Sequence, residues 1–215
     1  MKNIAIFGAG GFGREVKTII DKINIVNPNT YDFIGFYDDG KEKDSIVNGY
    51  PVLGGIEELN EVNEELCLVI SIGDPKIKQI ILNKITNPNI HYPSIVHPNA
   101  SISKDDVKIG KGCIICEGNI ITCNIVIGDF VILNLMCTVG HDTIIDDYCA
   151  FMPSVNISGE VHIHKGVYVG TGAKIINLLE IGENTIIGAG AVVSKTLPSN
   201  CTAVGIPAKP IKFHE

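Results

Sequence analysis

Residues 109–145 read IGKGCIICEGNIITCNIVIGDFVILNLMCTVGHDTII. An aliphatic residue returns at every sixth position: Ile109, Ile115, Ile121, Ile127, Leu133, Val139 and Ile145. The series continues through Phe151, Ile157, Ile163, Val169, Ile175, Ile181, Ile187 and Val193, all of them apolar. The residue four later is mostly small or β-branched, as at Cys113, Val131, Cys137, Thr143, Cys149, Val155 and Ala173. The residue one later is often glycine: Gly110, Gly128, Gly140, Gly170, Gly182 and Gly188. A period of six matches neither the helix nor the simple strand. It fits a short strand and a corner, repeated. The apolar residue enters the interior, glycine eases the corner, and the small residue fills the remaining space. Three such sides make a coil of about 18 residues, so this segment predicts a β-solenoid of about five stacked coils around one aliphatic core.

Composition agrees with that core. Hydrophobic residues make up 45% of the 215 and aromatic residues only 6%, with no tryptophan. Lys plus Arg number 17 against 24 Asp plus Glu, a net charge of −7, and Arg14 is the one arginine. An acidic chain so poor in guanidinium groups is not built for nucleic acid. No apolar run approaches the ~20 residues of a membrane span. The apolar segment Ile4–Phe7 runs directly into glycines, unlike a signal peptide, so the seven cysteines are expected to be reduced thiols in the cytoplasm.

Upstream of the repeat the rhythm differs. Lys2–Phe7, Phe33–Tyr37, Tyr50–Gly55 and Leu66–Ile72 read as strands, and Arg14–Ile23, Ile56–Leu59 and Pro75–Ile85 as helices. This β-α-β order predicts a small parallel sheet. The expected organisation is a Rossmann-like α/β domain over 1–90, a β-helix over 91–198 and a tail over 199–215.

Four motifs carry candidate chemistry. Gly8-Ala9-Gly10-Gly11-Phe12-Gly13 lies between a strand and a helix, where glycines let the backbone approach a ligand and the helix N-terminus favours a phosphate. A dehydrogenase NAD site is one reading, with Asp38-Asp39 as the acidic partner. The domain's shortness favours a smaller nucleotide or a nucleotide sugar, and a tight turn without ligand is the plain alternative. Gly140-His141-Asp142 places an imidazole and a carboxylate on the outer wall. Such a pair can take a proton from an attacking amine, or be ordinary surface, as His162 and His164 are read here. Cys113-x-x-Cys116 invites a metal reading. Yet Cys113, Cys137 and Cys149 occupy the small inward slot, and no second pair supplies four converging ligands, so no metal is expected. Gly205-Ile206-Pro207-Ala208-Lys209-Pro210 reads as an extended tail that caps the solenoid, or as a flap carrying Lys209 to a phosphate.

The repeat over 96–197 and the tail motif resemble the hexapeptide-repeat acyltransferases. That resemblance implies a left-handed parallel β-helix, although the usual crossover rule favours a right-handed one. The whole chain is similar to the subgroup of sialic-acid O-acetyltransferase-like and nucleotide-sugar N-acetyltransferase enzymes, which includes the bacillosamine-pathway acetyltransferase. It implies a homotrimer that uses acetyl-CoA and binds a nucleotide sugar, not NAD, in its N-terminal domain. By this resemblance His141 matches the general base, Asp142 its acidic neighbour and Asn134 an asparagine facing the sugar amine. Gly10, Gly11 and Phe12 match the nucleotide-sugar loop, Asp38 and Asp39 an acidic pair at the base or ribose, and Gly73 a glycine after the last strand. Ala150, Gly159, Thr171 and Ala189 fall on the CoA groove, with Lys209 at its phosphates and the Gly159 amide as an oxyanion donor. Two positions depart from the bacillosamine enzymes: Phe12 replaces a histidine that approaches the sugar amine, and Ala150 replaces a larger polar side chain. The resemblance implies N-acetylation of a nucleotide-linked amino sugar. O-acetylation of a sugar hydroxyl and a non-catalytic nucleotide-sugar-binding solenoid are the rival readings.

Overall fold

The chain is described here by a computed structural model covering residues 1–214. It divides into two compact units, Met1–Pro98 and Asn99–Glu215. The boundary therefore falls later than residue 90.

The first unit is α/β. Its elements are β1 (Lys2–Phe7), α1 (Gly11–Val26), β2 (Tyr31–Tyr37), β3 (Ile46–Val47), β4 (Tyr50–Gly54), α2 (Ile56–Asn60), β5 (Leu66–Ile70), α3 (Pro75–Lys84) and β6 (Ile90–His91). The sheet order is β3-β4-β2-β1-β5-β6, parallel except where β3 and β4 form a hairpin. β5 reads LCLVI and is buried throughout, as a strand covered on both faces must be. Val16, Ile19 and Ile20 turn the buried stripe of α1 inward. α3 starts where Asp74 accepts from the amides of Lys76 and Ile77, with Pro75 in the first turn where its missing N–H costs nothing. The chain runs from β1 to β2 on one side and later to β5 on the other. The strand order thus reverses between β1 and β5, and ligands of open α/β sheets sit beyond the carboxyl ends at such a point.

The second unit is a left-handed β-helix. Short strands stack in three parallel sheets, one of six strands from Ser101–Ile102 to Val192–Val193 and one of five from Val107–Ile109 to Glu180–Ile181. In the third sheet Ile114 pairs with Ile132, Ile132 with Ala150, and Ala150 with Tyr168, each step one coil. Every residue of the inward series from Ile115 to Val193 is buried, and only Ile109, in the first coil, is partly open. The small slot is filled as expected. The Cys113, Cys137 and Cys149 thiols lie in the interior, each within reach of a carbonyl oxygen at a corner of the next coil: Gly128 at 3.1 Å, Met152 at 3.3 Å and His164 at 3.1 Å. Burial pushes the Cys137 thiol up to about 11. All seven cysteines are free thiols.

Two features differ from the sequence reading. The corners turn on another residue than the glycines at 110, 128 and 140. From Gly112 to Gly190 every sixth residue has a left-handed backbone, including Asn124, Phe130, Met136, Asp142 and Tyr148. The glycines one place after the inward residue answer a different need, close approach of the next coil. A Cβ on Gly140 would stand 2.6 Å from the Gly159 nitrogen, and one on Gly170 would stand 2.6 Å from that of Ala189. The tail, read as an extended cap or flap, is built as two paired strands. Cys201–Gly205 joins the sheet beside Ile186–Ile187, and Ala208–Phe213 folds back on it antiparallel. Among the described residues no helix is long and apolar enough to cross a membrane.

Candidate active site

The corner after the Thr138–Val139 strand carries His141 and Asp142. Asp142 has φ +58°, and this left-handed turn folds its carboxylate back onto the preceding ring. His141 Nδ1 lies 2.7 Å from Asp142 Oδ2, and Asn124, one coil earlier, donates to Asp142 Oδ1 at 3.0 Å. Those two hydrogen bonds, first from His141 and then from Asn124, hold the Asp142 carboxyl below the usual aspartate range. With Nδ1 turned to a carboxylate, the neutral ring carries its proton there and presents Nε2 as a base. The His141 side chain is 56% exposed.

Gly159 lies directly against that ring. A Cβ there would stand 2.5 Å from both Cε1 and Nε2 of His141. Only a residue without a side chain lets the imidazole lie flat on the next coil. The His141 carbonyl accepts from the Glu160 amide at 2.8 Å, and Asp142 donates its amide to Cys123 at 3.1 Å, so the backbone is tied above and below. The sequence singled out Gly159 as an amide donor. Its steric part in seating the His141 ring, and the Asn124 contact, were not anticipated. Asn124 sits in the same six-residue series as Asp142, which is the signal that could have found it.

The other residues assigned to this unit are spread over several corners. Asn134 follows the Ile132–Leu133 strand, in a different sheet from the one preceding His141. Its Oδ1 accepts from the Leu135 amide at 2.7 Å, and its carbonyl accepts from Asn119 Nδ2 at 2.9 Å. Thr171 and Ala189 share one corner column, joined by the Gly190 amide donating to the Thr171 carbonyl at 2.8 Å, and both are exposed. Ala150 is fully buried in its sheet. Lys209 is exposed on the last strand, opposite Val204.

In the α/β unit the glycine loop caps the carboxyl end of β1. Gly8 has φ +104°, and a Cβ on Gly13 would collide with the Gly8 carbonyl, so this third glycine is demanded by helix-on-strand packing. A Cβ on Gly10 would meet nothing within 4 Å, and one on Gly11 only the Arg14 side chain at 3.9 Å. These two glycines leave open space at the N-terminus of α1, the end that favours anions. Phe12 is half-buried on the first turn. The Ser71 hydroxyl lies 2.8 Å from the Phe7 carbonyl and 2.9 Å from that of Gly8, drawing the 71–74 loop, with Gly73, up to the glycine loop. Both Asp38 oxygens take backbone amides, Oδ2 from Ala9 at 2.8 Å and Oδ1 from Gly40 at 2.9 Å. Asp39 Oδ1 accepts from the Ile56 amide at 2.8 Å. The pair braces the loop from β2, and both residues line a cleft of about 540 Å³ with Lys41, Lys43, Gly55 and Lys84.

Comparison with known proteins agrees with both halves. Residues 3–85 match the PglD N-terminal domain. The chain is 34% identical over 218 residues to GDP-perosamine N-acetyltransferase of Escherichia coli O157:H7, covering 99% of this chain and 97% of that protein. The structure of PerB from Caulobacter crescentus in complex with CoA and GDP-perosamine superposes with a TM-score of 0.85 at 29% identity, covering 99% of this chain and 98% of that one. The acetyltransferase domain of PglB from Neisseria gonorrhoeae, in complex with acetyl coenzyme A, gives 0.87 at 28% identity, covering 98% and 99%. An imidazole–carboxylate pair on a solenoid corner, a PglD-type α/β unit and full-length similarity to a sugar-nucleotide acetyltransferase lead to one assignment: this chain belongs to the hexapeptide-repeat acetyltransferases.

Proposed function

We propose that the protein transfers the acetyl group of acetyl-CoA to an amino group of a nucleotide-linked sugar. The observation that carries this reading is the seated His141–Asp142 pair, with Nδ1 held at 2.7 Å from the carboxylate and a side chain 56% exposed. Full-length similarity to an enzyme named for N-acetylating GDP-perosamine supports an amine acceptor and a nucleotide handle. The acceptor amine attacks the thioester carbonyl while His141 Nε2 takes its proton. Asp142 steadies the imidazolium that forms. The Gly159 amide is the donor assigned to the oxyanion. Collapse releases CoA, and the proton on His141 goes to the departing sulfur. The protein side chains supply all the proton handling.

The two units divide the work. Gly10 and Gly11 leave room for the diphosphate at the start of α1, and Phe12, Gly73, Asp38 and Asp39 border the nucleotide. Thr171, Ala189 and Lys209 are assigned to CoA, with buried Ala150 beneath that surface. Asn134 is assigned to the sugar amine. A homotrimer completes the donor groove. Ile120, Met136 and Leu178, at 49%, 61% and 65% exposure, are large apolar residues on the solenoid that such an assembly would cover. Free thiols fit a cytoplasmic reaction. Light scattering that found only monomers would overturn the trimer.

The test is CoA release by purified protein supplied with acetyl-CoA and a panel of amino and hydroxy nucleotide sugars. Turnover with amino sugars alone supports the proposal, and turnover with hydroxy sugars alone replaces it by O-acetylation. His141→Ala should lower kcat roughly 10² to 10⁴-fold with an unchanged melting curve. Near-normal turnover in that variant removes His141 as the base.

A further inference from the structure

We propose that Asp146, His162 and His164 form a binding site for a divalent transition-metal ion of the zinc type, with Glu180 as its outer carboxylate. His162 and His164 flank the inward Ile163, His162 on the strand and His164 just past its end, so both face the outer wall of one coil. The ladder pairs Ile145 with Ile163, which sets Asp146 beside His164 one coil away, and it pairs His162 with Glu180 on the other side. Three consecutive coils therefore present their polar side chains at one place on the wall.

The distances are those of a coordination polyhedron. Asp146 Oδ2 stands 3.2 Å from His162 Nε2 and 3.5 Å from His164 Nδ1. One ligand atom from each of the three residues lies within 4.8 Å of the others. Zinc bonded to nitrogen and oxygen at about 2.0–2.1 Å in a tetrahedron separates its ligands by roughly 3.3 Å. Two of the three edges already have that length, and a small rotation of either half-exposed imidazole sets the third. Two imidazoles and one carboxylate are a borderline donor set that favours zinc, copper or nickel over magnesium or calcium. Glu180 Oε2 lies 3.6 Å from His164 Nε2, the nitrogen that would not bind metal. A carboxylate in that position fixes the ring and its tautomer, as outer partners of metal-bound histidines do.

The site shares no residue with the His141–Asp142 pair. An ion held there ties one coil to the next, so its expected effect is on the folded state, by mass action. This inference stands independently of the acceptor proposed above.

Tag-free protein stripped by chelator should be titrated with zinc chloride, followed by calorimetry and by thermal unfolding. The expected result is one zinc per chain and a melting midpoint that rises with zinc concentration. His164→Ala and Asp146→Asn should each abolish that rise, and Glu180→Gln should weaken binding roughly 10-fold. Asp146→Asn keeps the shape of the side chain and serves if His164→Ala fails to fold. His141→Ala should bind zinc as the parent does. The proposal fails if the parent binds no zinc, if Asp146→Asn binds it as tightly, or if His141→Ala is the variant that loses it.

Discussion

Glycine does different work in the two units. In the β-helix Gly140 and Gly170 are fixed by a neighbouring coil 2.6 Å from where a Cβ would be, and Gly159 by an imidazole. In the α/β loop Gly13 is fixed in the same way by the Gly8 carbonyl, yet Gly10 and Gly11 meet almost nothing. A glycine with a steric reason marks packing. One without such a reason, at a helix N-terminus beside a strand-order reversal, leaves open space at the end of the helix that favours anions.

Substitution can break this contrast. Gly159→Ala should have the largest effect. The methyl displaces the His141 ring, and a shift of about 1 Å at a proton-transferring group costs on the order of 10²-fold in kcat. Steady-state kinetics with unchanged acetyl-CoA affinity would confirm it, while full activity would show that the ring does not need its present seat. Next comes Gly13→Ala, which forces α1 off the sheet and should cost about 1–3 kcal/mol in denaturant unfolding. Gly10→Ala should leave stability nearly intact and weaken nucleotide-sugar binding. Equal losses of stability in both variants would erase the distinction.

The smallest effect concerns Asp142. Its pKa is depressed in the folded chain, so whatever its contacts contribute is present above the ordinary aspartate range and is lost as pH falls through the depressed value. Asn124→Ala removes the second of the two hydrogen bonds responsible and should move that loss to higher pH. The carboxyl carbon resonance of Asp142, followed by NMR across the acid range, reads this directly. An unmoved titration would assign the whole depression to His141.

Much of the β-helix was legible because a repeat states each requirement many times. The inward series and the cysteine slots follow from spacing alone, and fourteen corners obey one rule of left-handed backbone from Gly112 to Gly190. That rule was visible as Gly, Asn and Asp at 112, 118, 124 and 142, but glycines at the neighbouring position drew attention first. The α/β elements were found from buried runs such as LCLVI. Their ends moved by a few residues, and Ile46–Val47 was missed, because a two-residue edge strand has no periodicity. The contacts of the site were the least legible. Asn124 lies eighteen residues from Asp142, and Ser71 lies far along the chain from Gly8. Such partners become neighbours only through the ladder and the sheet. The cluster at His162 and His164 was read as ordinary surface for the same reason: its carboxylates come from the coils on either side.

Pairing of the solenoid strands from Val107 to Val193 with those eighteen positions on has a consequence for how such a chain can change. Removal or duplication of a whole storey keeps every corner in phase and alters only height, whereas loss of one residue inside the repeat must be absorbed at a corner, as the nineteen-residue step from Ile102 to Ile121 is at the start. Length in the regular part of the repeat thus changes most easily by whole storeys, and a corner pair such as His141 and Asp142 can be carried to a taller or shorter tower without being rebuilt.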